Sequence, residues 1–204
     1  MKLEKILDFL KDKYKFHSVI LYGSRAGDKF RSDSDYDFLC IRKEGKRIRE
    51  IIKFENITID LIVDDEEIAK RPNDVLYLWQ SKILTDEKGF AKALVDSTLA
   101  RLSHSPEPLS LSRITQRKKQ ILDSLIYIQQ NDILGDYRRN DLLAKLLPLY
   151  CDFAHIWDLG DKHTLTWLEK NDSKTFELFR LALKKESSYS NVEELVLHLC
   201  DFKV

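Results

Sequence analysis

The sequence predicts an α+β protein in two parts: an N-terminal mixed β-sheet domain with flanking helices, then a C-terminal all-α helical bundle. Three observations predict it. Strand-like apolar runs and helical periodicities alternate up to residue 104. The stretch "SHSPEPLS" then interrupts the pattern with serine and proline, the plainest linker signal in the chain. Beyond it only helical periodicity continues. Residues 1–104 and 105–204 are therefore expected to form separate domains, and 204 residues suffice for two cores of ordinary size.

Taking the elements in order, Leu3, Ile6, Leu7 and Leu10 recur at helical spacing and predict a helix over 3–15. "SVILY" (18–22) reads as a buried strand ending at Gly23, "RAGDKF" as a turn of helix, and "YDFLCIR" (36–42) as a second strand. "KRIREIIKF" (46–54) fits strand and helix equally. "ITIDLIV" (57–63) is β-branched and alternating, a strand pattern. "DDEEIAKRP" predicts a helix with acidic residues in its first turn, stopped by Pro72. A helix containing Leu76, Tyr77 and Trp79 follows, then a short strand in "KILTDEKG" and a helix over "FAKALVDSTLARL". In the second half, helices are expected over 110–130 and over 137–159, the latter bent or restarted near Pro148. "SKTFELFRLALKK" and "NVEELVLHLC" each start on a residue suited to an N-cap.

Composition narrows the function classes. Lys plus Arg and Asp plus Glu both number 34, and the two halves carry 20 basic against 19 acidic and 14 against 15 side chains. Neither half has the basic excess of a protein held mainly by nucleic-acid phosphates, so bulk nucleic-acid binding is disfavoured. No run approaches the ~20 apolar residues of a membrane span. The N-terminal stretch alternates charged and apolar residues, unlike a signal peptide, so a cytoplasmic protein without membrane attachment is expected. Cys40, Cys151 and Cys200 lack metal-ligand spacing and read as reduced, mostly buried thiols. The five histidines likewise lack it and read as solvent-facing or capping residues. Trp79, Trp157 and Trp167 read as core.

The chemistry lies in "VILYGSRAGDKFRSDSDYDFLCI" (19–41). Gly23 permits a tight turn after a buried strand. Ser24 adds a hydroxyl beside backbone N–H groups, which can hold phosphate oxygens if the next residues turn helical. Asp35 and Asp37, two apart, would share one strand face, and Asp60 interrupts an apolar strand where a carboxylate needs a partner. If the two strands are neighbours, three carboxylates converge. Such hard oxygen donors suit Mg²⁺ bound together with substrate phosphates.

"LYGSRAGDKFRSDSDYDFLCI" with "ITIDLIV" resembles the signature of the DNA polymerase β-like nucleotidyltransferase superfamily. The signature runs hydrophobic-Gly-Ser, about ten residues, Asp-x-Asp, then a third carboxylate on a later strand. The resemblance covers 18–63 and implies that Asp35, Asp37 and Asp60 are the catalytic residues and the ligands of two Mg²⁺ ions. By the same resemblance Gly23 and Ser24 hold the nucleotide's β- and γ-phosphates, and Arg25 either approaches phosphate or braces the turn. "KILTDEKGFAKAL" and "LLAKLLPLYCDFAHIWDLGDKHTLTWLEK" are similar to segments of the two-domain aminoglycoside-type nucleotidyltransferases. Neither half, however, has the clustered acidity that a polycationic acceptor would favour.

The expectation is thus a metal-dependent nucleotidyltransferase moving AMP from ATP, or another nucleoside monophosphate, to a hydroxyl of a small molecule, with pyrophosphate leaving. The helical half would bind the acceptor or serve homodimerisation. Alternatives are transfer to a protein or tRNA, as in toxin–antitoxin systems, and a non-catalytic nucleotide-binding module. A general base, if one is needed, could come from Glu66, Glu67, Asp132, Asp136 or Asp141.

Overall fold

The computed structural model describes residues 2–27, 30–130 and 132–202. Part of the expected helical turn in "RAGDKF" lies outside them. The chain divides into two compact units, Met1–His104 and Ser105–Val204.

The first unit is built on a five-stranded mixed sheet. Helix α1 (Lys2–Tyr14) leads into β1 (Ser18–Tyr22), and a single 3₁₀ turn (Ser24–Ala26) follows before β2 (Tyr36–Arg42). A hairpin of β3 (Ile48–Phe54) and β4 (Ile57–Asp65) comes next, then two 3₁₀ segments (Glu66–Lys70 and Pro72–Trp79), β5 (Ser81–Asp86) and α2 (Phe90–Leu102). The strand order is β3-β4-β2-β1-β5. Every pairing is antiparallel except β2 with β4, which run parallel.

Strand alternation sorts the side chains onto two faces. Val19, Leu21, Phe38, Cys40, Ile59, Leu61 and Val63 face α1, whose Ile6 and Leu10 complete that core. Ile20, Leu39, Ile41 and Ile62 face the other way, under Ile68, Val75 and Leu78 of the 3₁₀ segments and Ala91 and Leu94 of α2. The ambiguous stretch 46–54 is the edge strand β3. Its Ile48, Ile52 and Phe54 pack on the α1 side, while Arg49, Ile51 and Lys53 point out to solvent. The helices expected after "ITIDLIV" are 3₁₀ segments instead. Pro72 opens the second of them as well as ending the first, which suits a residue that lacks an N–H.

Among its described residues the second unit holds five helices: α3 (Leu111–Ile128), α4 (Ile133–Phe153), α5 (Asp161–Asn171), α6 (Ser173–Ala182) and α7 (Tyr189–Cys200). One apolar core unites them, centred on Leu146, Tyr150, Phe153, Leu168, Phe179, Val192, Leu195 and Leu199. Two sequence expectations change here. Helix α4 begins earlier and ends earlier than 137–159, and it runs through Pro148. The caps of α6 and α7 are Asp172 and Ser188, each one or more residues ahead of the expected Ser173 and Asn191. No helix among the described residues is long and apolar enough to cross a membrane.

Candidate active site

The parallel pairing of β2 with β4 sets Asp37 directly beside Asp60, and the antiparallel pairing of β1 with β2 sets Tyr22 on Asp37's other flank. Directly paired residues share a face. Tyr22, Asp37 and Asp60 therefore form a row on the side opposite α1, at the end of the sheet where the apolar cover thins. Leu39 and Ile41, farther along β2, are fully buried, whereas Asp37 and Asp60 are only half-buried.

Asp35 departs from the expectation. Strand β2 begins at Tyr36, so Asp35 precedes the strand and is exposed. It stands near enough for its charge to bear on Asp37. Among the described residues, no three His, Cys, Asp or Glu side chains stand together as a complete metal site. The pair Asp37–Asp60 is the nucleus, with Asp35 beside it.

Electrostatics mark this pair as unfinished. Burial above all, then the charges of Asp60 and Asp35, pushes the Asp37 carboxyl up to about 6, with Arg49 pulling the other way. Oδ1 of Asp60 is buried without a hydrogen-bond partner among the described residues. Its Oδ2 accepts from Arg49 Nη2 at 3.0 Å. Two crowded carboxylates and one orphaned buried oxygen are what a divalent cation with oxygen ligands would satisfy, so the residues present fit Mg²⁺.

Gly23 follows Tyr22 with φ 69° and ψ −154°. A Cβ there would lie 2.3 Å from Asp37 Oδ2, so backbone conformation and space both demand glycine. The turn Ser24–Ala26 closes through Ala26 N–H donating to Gly23 O and Gly27 N–H donating to Ser24 O. The first N–H groups of such a turn have no partner within it. Arg25 braces the neighbouring loop: its Nε donates to Ser34 O at 2.7 Å and its Nη2 to Ser32 O at 2.9 Å. Its guanidinium also lies 4.1 Å from the Tyr36 ring centroid. Of the two roles the sequence allowed it, this geometry is the bracing one.

Several residues escaped the sequence reading. Arg49 lies in the stretch 46–54, which fits strand and helix equally and gives it no role of its own. Tyr22 and Tyr77 pack with ring centroids 4.5 Å apart beside Asp37. Burial raises both phenols, Tyr77 to about 12. Asp64, read only as part of an acidic helix start, is almost wholly buried. It accepts from Arg71 Nη2 at 2.8 Å and pairs with Arg47 at 3.5 Å. His17 is also buried, against the solvent-facing or capping expectation. Its Nδ1 lies 2.8 Å from Ser18 Oγ and its Nε2 3.3 Å from Glu66. A doubled acid or a histidine before a strand carries no sequence signal for such burial.

Four of the five candidate bases have other partners: Glu66 faces His17, Glu67 pairs with Lys70, Asp132 caps α4 through Gly135 N–H, and Asp141 pairs with Lys145, while Asp136 is exposed. Cys40 and Cys151 are buried and Cys200 half-buried, all as free thiols.

Residues 3–102 match the family model described as a nucleotidyltransferase domain. Among solved structures, the chain is similar to a nucleotidyltransferase-like protein from Exiguobacterium sibiricum. That similarity has 11% identity and a TM-score of 0.46, over 96% of this chain and 71% of that one. At that distance it adds nothing to the assignment. A search of curated proteins finds no match.

Proposed function

Residues 3–102 are a nucleotidyltransferase domain of the DNA polymerase β-like superfamily, and from that premise we propose that the chain transfers AMP from ATP to a hydroxyl group of a small molecule. The hydroxyl oxygen bonds to the α-phosphorus, the α–β phosphoanhydride bond breaks, and pyrophosphate leaves with its electron pair. The hydroxyl proton passes to solvent. The observation that carries the reading is the side-by-side placement of Asp37 and Asp60, with Asp60 Oδ1 left without a donor among the described residues.

Asp37 and Asp60, with Asp35 adjoining, would hold Mg²⁺. Bound there, the ion neutralises phosphate oxygens and makes the acceptor hydroxyl more acidic. The protein's own contributions are positional. Gly23 keeps the backbone beside Asp37 free of a side chain, so a phosphate can approach both. The opening N–H groups of the Ser24–Ala26 turn and the Ser24 hydroxyl supply donors to the β- and γ-phosphates. Arg25 holds the loop between that turn and Asp35. Tyr22, neutral at any working pH, walls the site without adding charge.

The test uses ATP labelled at the α-phosphate, Mg²⁺ and a panel of hydroxylated metabolites plus fractionated lysate. The expected outcome is label on a small molecule, lost on adding EDTA and in Asp37→Asn. Label confined to protein or RNA would replace the acceptor class. Label transfer undiminished in Asp37→Asn would overturn the site.

A further inference from the structure

Arg49 stands on the edge strand β3, two residues before the one paired with Asp60. Ile51 is opposite Asp60 and Arg49 opposite Ile62. Odd-numbered β3 residues share the carboxylate face, so Arg49 reaches along it to Asp60. Its side chain is 70% exposed, and that of Asp60 21%. The bond to Asp60 Oδ2 at 3.0 Å is single, not the two-pronged clasp that makes arginine–carboxylate pairs strong. An ion pair with so exposed a partner holds weakly. One monovalent cation on a flexible arm thus faces carboxylates whose combined charge it cannot balance, and among the described residues Asp60 Oδ1 has no donor.

This arrangement suits a contact meant to be exchanged. We propose that Arg49 is a resident counter-ion that occupies Asp60 in the metal-free protein and is displaced when a divalent cation binds, so that it sets the metal affinity of the free enzyme. Arg49 is a positioning residue acting through Asp60. The proposal rests on the metal-dependent reading above. In linkage terms, guanidinium and metal compete for one carboxylate, so removing the first must strengthen the second. The exchange also keeps Asp60 paired before metal arrives, when an uncompensated half-buried carboxylate would weaken the sheet.

The test is Mn²⁺ binding to the intact protein without nucleotide, followed by electron paramagnetic resonance, for wild type, Arg49→Gln, Arg49→Lys and Asp37→Asn. Circular dichroism confirms folding, which an exposed strand-edge substitution should preserve. Arg49→Gln is expected to bind Mn²⁺ about 5- to 10-fold more tightly, the lower range of ordinary coupling between sites. Arg49→Lys should stay near wild type, because the counter-charge is retained. Unchanged or weaker binding in Arg49→Gln, with wild-type binding abolished in Asp37→Asn, overturns the counter-ion role and leaves the metal site standing. Absence of Mn²⁺ binding by wild type overturns both.

Discussion

Asp37 shows most directly how function and stability conflict at a single side chain. Folded Asp37 holds its proton up to about pH 6, whereas in the unfolded chain it ionises near 4. The folded state therefore binds more protons across that window, and the metal-free protein loses stability as pH rises from about 4 to about 6. The deficit persists above it, at about 1–2 kcal/mol once screening of a half-exposed group is allowed for. Asp37→Asn should raise the metal-free melting temperature at pH 7.5 and change it little at pH 4, while transfer activity falls at least ~100-fold. A pH-independent difference between the two proteins would contradict this account. Gly23→Ala should act in the opposite sense. The added methyl meets Asp37 Oδ2 in a left-handed backbone conformation, so stability should fall by about 1–2 kcal/mol and activity with it, measured by urea unfolding and label transfer. Asp37, Asp60 and Gly23 were legible because their types and order are unusual for a strand. Arg49 and Asp64 were not, because a charge on a strand looks the same in sequence whether it meets solvent or a buried partner.

Among the elements, β3 and the two 3₁₀ segments best show what periodicity can and cannot resolve. In "IREIIKF", Ile48 and Ile52 are four apart, which a helix stripe and alternate positions of a strand satisfy equally. Pairing with β4 decides it, through a hairpin whose residues Phe54 and Ile57 face each other across Glu55 and Asn56. Glu55 has φ 52°, a conformation costly for a side chain. Glu55→Gly should therefore stabilise the protein by about 0.5–1 kcal/mol in urea unfolding, and destabilisation would show that the glutamate makes a compensating contact. The segments after β4 kept their acidic start and their proline but not the α geometry. Asp65 turns its side chain onto Glu67 N–H, and Asp64 turns inward to Arg71 and Arg47. Removing one partner of a buried carboxylate is costly, so Arg71→Met should destabilise by about 2–3 kcal/mol, read by chemical unfolding. A loss below 0.5 kcal/mol, roughly the scatter of ordinary surface substitutions, would mean that Arg47 alone suffices.

For the whole molecule, the change from alternating to purely helical patterning is the most readable feature. The two clusters built from residues 6–94 and the one built from residues 114–199 share no side chain. The intervening residues 103–110 include no helix or strand. Limited proteolysis should cut first within 103–110 and leave two resistant fragments, identified by mass spectrometry. Early cleavage inside either unit would argue against two self-contained cores. The linker was readable because serine and proline there serve neither periodicity, whereas helix limits such as those of α4 depend on packing that no local pattern records.

The one parallel pairing in the sheet also bears on how the molecule is made. An antiparallel neighbour can form as soon as a hairpin closes, but β2 and β4 can meet only after all of β3 and β4 has been synthesised. The two central carboxylates thus come together late. A chain emerging from the ribosome carries Asp37 long before Asp60 exists to stand beside it.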